Sequence, residues 1–303
     1  MEEPIIIDNN NIQSISEQQH STGTNINSNT NNVLYIDKDM WWKVLYTMFI
    51  TTSIGYLMAK RNSTSKLRII KPVPVVILGY IVLLWCSIHH KSGTQQILNF
   101  IIPNNPTTYA IYISVGLFLS AVGDFFLLYK RFFIHGVFFF LVAHISFIFA
   151  FTSSEQFFTP TVTGLLVGIV CLFVYMFLAK VFPLFSKMGI SKSLAIALLF
   201  YTSVIVTMCF TASVKSFLKL ITIINNNHDI FSNVFSSFSF YASIGAIGAV
   251  LFFISDLMIL VREINLLANG QVSTIRKLLG HGDLGMIVYW LGQFCIALSV
   301  TEF

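Results

Sequence analysis

Two aspartates stand where carboxylates are costly. Asp124 and Asp256 lie well inside long apolar runs, unlike the rest of the 13 acidic residues in this 303-residue chain. A charged side chain at the centre of a bilayer-spanning helix costs about 2.5–3.5 kcal/mol on insertion scales, so an aspartate there points to function. The two settings match: Ser120-Ala121-Val122-Gly123-Asp124 and Phe252-Phe253-Ile254-Ser255-Asp256 each place a small residue before the aspartate. Lys130 and Arg262 are the first basic residues after them, each six positions on, and Gly116 and Gly248 lie eight positions before. Six residues of helix rise about 9 Å, so both carboxylates are expected at one depth, where they can face one cavity. Such a pair can move a proton or couple to a cation. It can also hold helices together as polar glue.

Other polar side chains can join them. His144 sits midway along an apolar run, either as a catalytic group or as a core histidine bonded to a neighbour. Tyr289 and Gln293 are four residues apart and share a helix face. Tyr289 falls near the aspartate depth, as a site residue or as a packing tyrosine. His281-Gly282-Asp283 reads as turn chemistry rather than a metal site. No GxSxG and no HExxH is present, which removes the commonest serine-hydrolase and metalloprotease readings. The four cysteines, Cys86, Cys171, Cys209 and Cys295, all lie in apolar runs without CxxC spacing and read as small hydrophobes. Neither a metal nor a cofactor is expected.

The elements that position these residues follow from composition. Hydrophobic residues make up 55% of the chain and charged residues 10%, too few to cover a water-soluble domain. In lipid every backbone N–H and C=O must be satisfied internally, and continuous apolar runs select helices over a barrel. The chain is therefore expected to be an all-α polytopic transmembrane bundle of about eight helices. The spans fall near 42–60, 70–88, 108–129, 133–152, 161–181, 193–214, 238–261 and 284–302, the first being the weakest. Lys71-Pro72-Val73-Pro74 opens the second, since proline is tolerated in a first turn. Short loops make sequential helices antiparallel neighbours. Residues 1–40 form an Asn/Ser-rich tail, expected to be disordered, and 41–303 the bundle. Of the 18 basic residues, 13 flank loops that follow odd-numbered helices. The positive-inside rule places those loops in the cytoplasm and both termini opposite. Basic residues spread over loops, with no nucleic-acid motif, leave the bilayer as the expected partner. They set no oligomeric state.

The motifs resemble a known family. Lys71 to Pro74 opening helix two, Ser120 to Asp124 with Leu127-Leu128 ending helix three, and Gly136 to Phe151 with His144 fit it. So do Tyr201 and Met208 in helix six, Gly245-Ala246 through Asp256 in helix seven, and Tyr289 to Gln293 in helix eight. Together, over about 70–302, they resemble the YhhN-like lysoplasmalogenases, integral membrane enzymes. Trp290-Leu291-Gly292 depart from the family pattern, as do the tail and the long loop at Asn225-Asn226-Asn227. The resemblance implies hydrolysis of the sn-1 vinyl ether of a lysoplasmalogen, a lysophospholipid carrying ethanolamine or choline. The products are a fatty aldehyde and a glycerophospho alcohol. It implies the endoplasmic reticulum as location, Asp124 and Asp256 as catalytic residues, and Lys71, His144, Tyr289 and Gln293 in support.

Vinyl ether hydrolysis suits two carboxyls. It begins with proton delivery to the enol carbon and passes through an oxocarbenium ion that water captures. A protonated carboxyl and a carboxylate are the groups this needs, as in glycosidases. The competing reading is a proton- or cation-coupled transporter using the same pair, against which stands the lack of a clear inverted repeat or broken helix. A scaffolding protein with the pair as glue is the third.

Overall fold

The computed structural model describes residues 38–61, 69–89, 106–153, 157, 159–187, 191–226, 237–267 and 282–302. The tail to residue 37, the Asn62 sequon, the Asn227 end of the long loop and His281 lie outside them. The described chain is helical: α1 Lys38–Arg61, α2 Val73–His89, α3 Pro106–Phe126, α4 Phe133–Phe151, α5 Pro160–Met176, α6 Lys192–Asn226, α7 Ser237–Leu267 and α8 Gly282–Leu298. α5 continues through a π-helical turn, Phe177–Val181, into Phe182–Lys187, and α8 ends in a 3₁₀ turn, Ser299–Glu302. No strand occurs among the described residues.

Six helices, α3 to α8, are long and apolar enough to cross a bilayer, and α2 is apolar but shorter. α1 carries more polar residues. Its Thr47, Thr52 and Ser53 hydroxyls bond carbonyls one turn back, which lets a polar side chain sit in an apolar medium. Its packing is aromatic: Phe49 stacks on Phe294 of α8 at 5.5 Å, and Tyr56 meets Trp290 edge-on at the same distance.

Helix ends follow local chemistry. Pro72 and Pro74 open α2 as expected, with the Val76 N–H bonded to the Pro72 carbonyl at 3.1 Å. Thr159 caps α5, and the Ser191 hydroxyl accepts from Leu194 N–H at the start of α6. α6 and α7 run longer than their apolar cores predict, because the polar ends continue the helix to Asn226 and Leu267.

Within Trp42–Phe303 the closest helix pairs are α3 with α4 and α7 with α8. Gly248 and Gly292 let the last pair touch: a Cβ on Gly248 would lie 2.8 Å from the Gly292 carbonyl and from Ile296 N. Gly116 likewise admits the Phe147 ring. Both glycines eight positions before an aspartate are thus points of close helix contact. α5 instead has no buried residue over Pro160–Met176 and presents its side chains outward.

Candidate active site

The site lies at the shared end of α2, α3, α4, α6, α7 and α8. Asp124 ends up near the C-terminus of α3, and Lys71 stands just before α2. Antiparallel packing brings the two together. Lys71 Nζ lies 2.7 Å from Asp124 Oδ1, an ion pair with the carboxylate 2% exposed. Its other oxygen, Oδ2, is buried without a hydrogen bond. The Tyr289 hydroxyl of α8 interacts with Asp124 without reaching the geometry of a full hydrogen bond. One turn further, the amide of Gln293 is also buried with neither polar atom bonded, and so is Ser120 Oγ, one turn before Asp124.

Asp256 has a different shell. His144 Nε2 lies 3.0 Å from its Oδ2, and the Tyr201 hydroxyl donates to the same oxygen at 2.8 Å. Tyr201 also stands 3.4 Å from His144 Nε2. On the other side of the ring, His144 Nδ1 lies 3.3 Å from the Met208 sulfur. Four side chains from α4, α6 and α7 thus form one buried network, with Phe252 tilted against the imidazole at 4.8 Å. Both partners hold Oδ2, and among the described residues no hydrogen bond to Oδ1 is seen.

The carboxylates interact electrostatically, and Tyr289 interacts with both. Phe140 packs edge-on against both Phe252 and Tyr289, whose rings also meet each other at 5.3 Å, so three aromatic rings cluster beside the two shells. The expected common cavity is only half realised. A cavity of about 370 Å³ ends on Asp256 and Tyr201, while Asp124 is not part of its wall. That wall is otherwise apolar apart from Ser193, with Val137 and Phe140 of α4 and Ala197 of α6 among its residues. The asymmetry has a simple cause: Lys71 turns one Asp124 oxygen toward α2, and Phe140 stands on the cavity side.

The expected supporting residues divide between the two shells. Lys71 and Tyr289 belong with Asp124, and His144 with Asp256; Gln293 interacts with Tyr289. Tyr201 and Met208 receive no role from the sequence, and the structure places both against His144 or Asp256. A signal existed for Tyr201: it is the one tyrosine of α6, in an otherwise apolar stretch. Among the described residues no cluster of His, Cys, Asp and Glu can hold a metal. The four cysteines are free thiols.

Comparison with known proteins bears on this arrangement. Residues 66–300 match the YhhN family. The lysoplasmalogenase homolog of Dictyostelium discoideum is 94% identical over 303 residues, covering all of both chains. No solved structure matches the chain.

Proposed function

Because the chain belongs to the YhhN family and is a multi-pass membrane protein, we propose that it hydrolyses the sn-1 vinyl ether of lysoplasmalogens in the endoplasmic reticulum membrane. The observation that carries the reading is Asp256 at the end of an apolar cavity, with His144 and Tyr201 both bonded to the same one of its two carboxylate oxygens. The name of the Dictyostelium relative supports the substrate class.

In this reading Asp256 is the acid. It protonates the enol carbon of the vinyl ether, and the electron pair of the double bond forms the new C–H bond. The adjacent ether carbon becomes an oxocarbenium centre. Water adds there, and the Asp256 carboxylate takes the proton that the water gives up. The resulting hemiacetal collapses, breaking the bond between that carbon and the glycerol oxygen, to a fatty aldehyde and a glycerophospho alcohol. The acid is regenerated, so the balance is one water consumed per ether cleaved.

Tyr201 and His144 are positioning residues. They fix Asp256 Oδ2 and so turn Oδ1 toward the substrate. Asp124, off the cavity wall and paired with Lys71, favours the cationic transition state through the orientation of that buried ion pair. Lys71 holds it in place. Release of fatty aldehyde from a lysoplasmalogen by purified protein is the test. Absence of release by folded protein, with transport of protons or cations in liposomes, would give the site to the carrier reading instead.

A further inference from the structure

From Asp256 the cavity leads outward. It runs along α6 from Tyr201 through Leu198, Ala197 and Leu194 to Ser193, eight residues or about 12 Å of helix. On α4 it is bordered by Phe140, Val137 and Ile134. Its inner end is buried: Asp256 is 6% exposed and Phe140 3%. Its outer rim is open, since Ile134 is 77% exposed and Ser193 and Ala197 are exposed as well. The opening therefore lies between the N-terminal halves of α4 and α6, on the side of the bundle rather than in its middle.

Basic residues flank that opening. Arg131 stands two positions before Phe133, and Lys192 one position before Ser193, both of which line the cavity. Both are exposed, and neither is ion-paired among the described residues. The wall between them and Asp256 carries no charge. The arrangement from outside inward is cation, apolar passage, carboxyl.

We propose that this groove is a lysophospholipid site entered sideways from the bilayer, with the phosphate held by Arg131 and Lys192, the glycerol and the reacting bond in the passage, and the rest of the aliphatic chain between α4 and α6 in the bilayer. This rests on the vinyl ether reading and adds the recognition of the headgroup to it. Two arguments carry it. The first is register. Tyr201 and Lys192 are nine residues apart, about 13 Å along the helix. The phosphorus and the vinyl carbon of a lysoplasmalogen are separated by a glycerol, roughly the length of two extended residues, about 7 Å. A lysine or arginine stem spans the remainder while its head stays at the interface. A phosphate at the mouth thus sets the reacting bond beside Asp256 without the lipid leaving its leaflet.

The second argument is capacity. A cavity of about 370 Å³ holds about a dozen groups the size of a water or methylene, at roughly 30 Å³ each. That admits the glycerol and the first part of one chain, with the remainder lying between α4 and α6 in the bilayer. The groove therefore favours phospholipids by charge.

Binding of two non-cleavable lipids to the purified full-length protein tests this: an alkyl-ether lysophosphatidylethanolamine, and the matching alkylglycerol that lacks phosphate. Wild type is expected to bind the first roughly ten- to a hundredfold more tightly, as charged hydrogen bonds give. R131A/K192A is expected to bind both lipids equally, at the wild-type affinity for alkylglycerol. Ala197→Trp, at an exposed rim position where the change leaves the core intact, is expected to weaken both lipids at least tenfold. A phosphate preference that survives in R131A/K192A, or undiminished binding in Ala197→Trp, overturns the proposal. So does equal binding of the two lipids by wild type. Because neither probe has a vinyl bond, these outcomes are independent of turnover. Vinyl ether hydrolysis by wild type is measured alongside, so loss of that activity reading leaves the lipid site standing or falling on binding alone.

Discussion

His144 Nε2 and Tyr201 Oη converge on one oxygen of Asp256, at 3.0 and 2.8 Å, where that residue closes the cavity. The relationship predicts what removing either partner does. Tyr201→Phe deletes one hydrogen bond while keeping the ring against His144, so kcat is expected to fall about tenfold with KM nearly unchanged. His144→Ala is expected to fall further, about a hundredfold, because Asp256 then rotates. Steady-state kinetics across pH checks both. A displaced pH–rate profile marks a positioning role, and an unmoved profile with lower activity marks packing alone.

The Lys71–Asp124 pair predicts a stability effect. From the sequence, Asp124→Asn eases insertion because it removes a charge. The structure reverses this: the substitution strands the Lys71 ammonium, 10% exposed, without its counter-ion. Breaking a buried pair from one side costs about 3–5 kcal/mol. Asp124→Asn is expected to lower the melting temperature in detergent, and K71M/D124N to restore it. Turnover is expected to stay about a hundredfold down in the double variant, since the oriented ion pair is still missing. Recovery of activity together with stability in that variant would show that Asp124 serves only to neutralise Lys71.

Most of the fold is legible in the sequence because lipid leaves so few alternatives. Apolar runs and Pro72-Pro74 mark α2 to α8 to within a few residues, except at the C-terminal ends of α6 and α7. The polar ends of α6 and α7 escape that reading, because hydropathy reports the span and not the helix beyond it. For the site, Asp124 and Asp256 stand out by the cost of burying them. Their partners do not. Lys71 sits in a loop near other basic residues, and nothing in its spacing says that it turns inward. Pairing His144 with Asp256 rather than Asp124 depends on which helix faces α4, a tertiary fact with no local signal.

Glycine contacts predict a contrast between two similar changes. Gly248→Ala puts a methyl group 2.8 Å from backbone atoms of α8, which cannot yield as a side chain can. Overpacking of this kind costs about 1–3 kcal/mol, and it moves α8 with Tyr289 away from Asp124. Gly164→Ala in α5 meets nothing within 4 Å and is expected to stabilise by about 0.4–1 kcal/mol through the unfolded state. Thermal unfolding of both variants in one detergent compares them directly.

Orientation carries its own test. By the positive-inside rule the end of the bundle holding Lys71, Arg131 and Lys192 is expected in the cytoplasm. Asn62-Ser63-Thr64 falls on that side and is expected to carry no glycan. An endoglycosidase-sensitive shift in gel mobility that disappears in Asn62→Gln would place the groove on the lumenal leaflet instead.

The central claim is that Asp256 delivers the proton, and Asp256→Asn tests it most directly. Asn keeps the shape and can still bond His144 and Tyr201, but it has no proton to give at a useful pKa. The measurement is single-turnover release of fatty aldehyde from a lysoplasmalogen, on protein whose melting temperature and lipid binding match wild type. The account predicts a loss of at least about 10²–10⁴-fold, the range of a general acid. Release within a few-fold of wild type would contradict it and return the search to Asp124 and Tyr289.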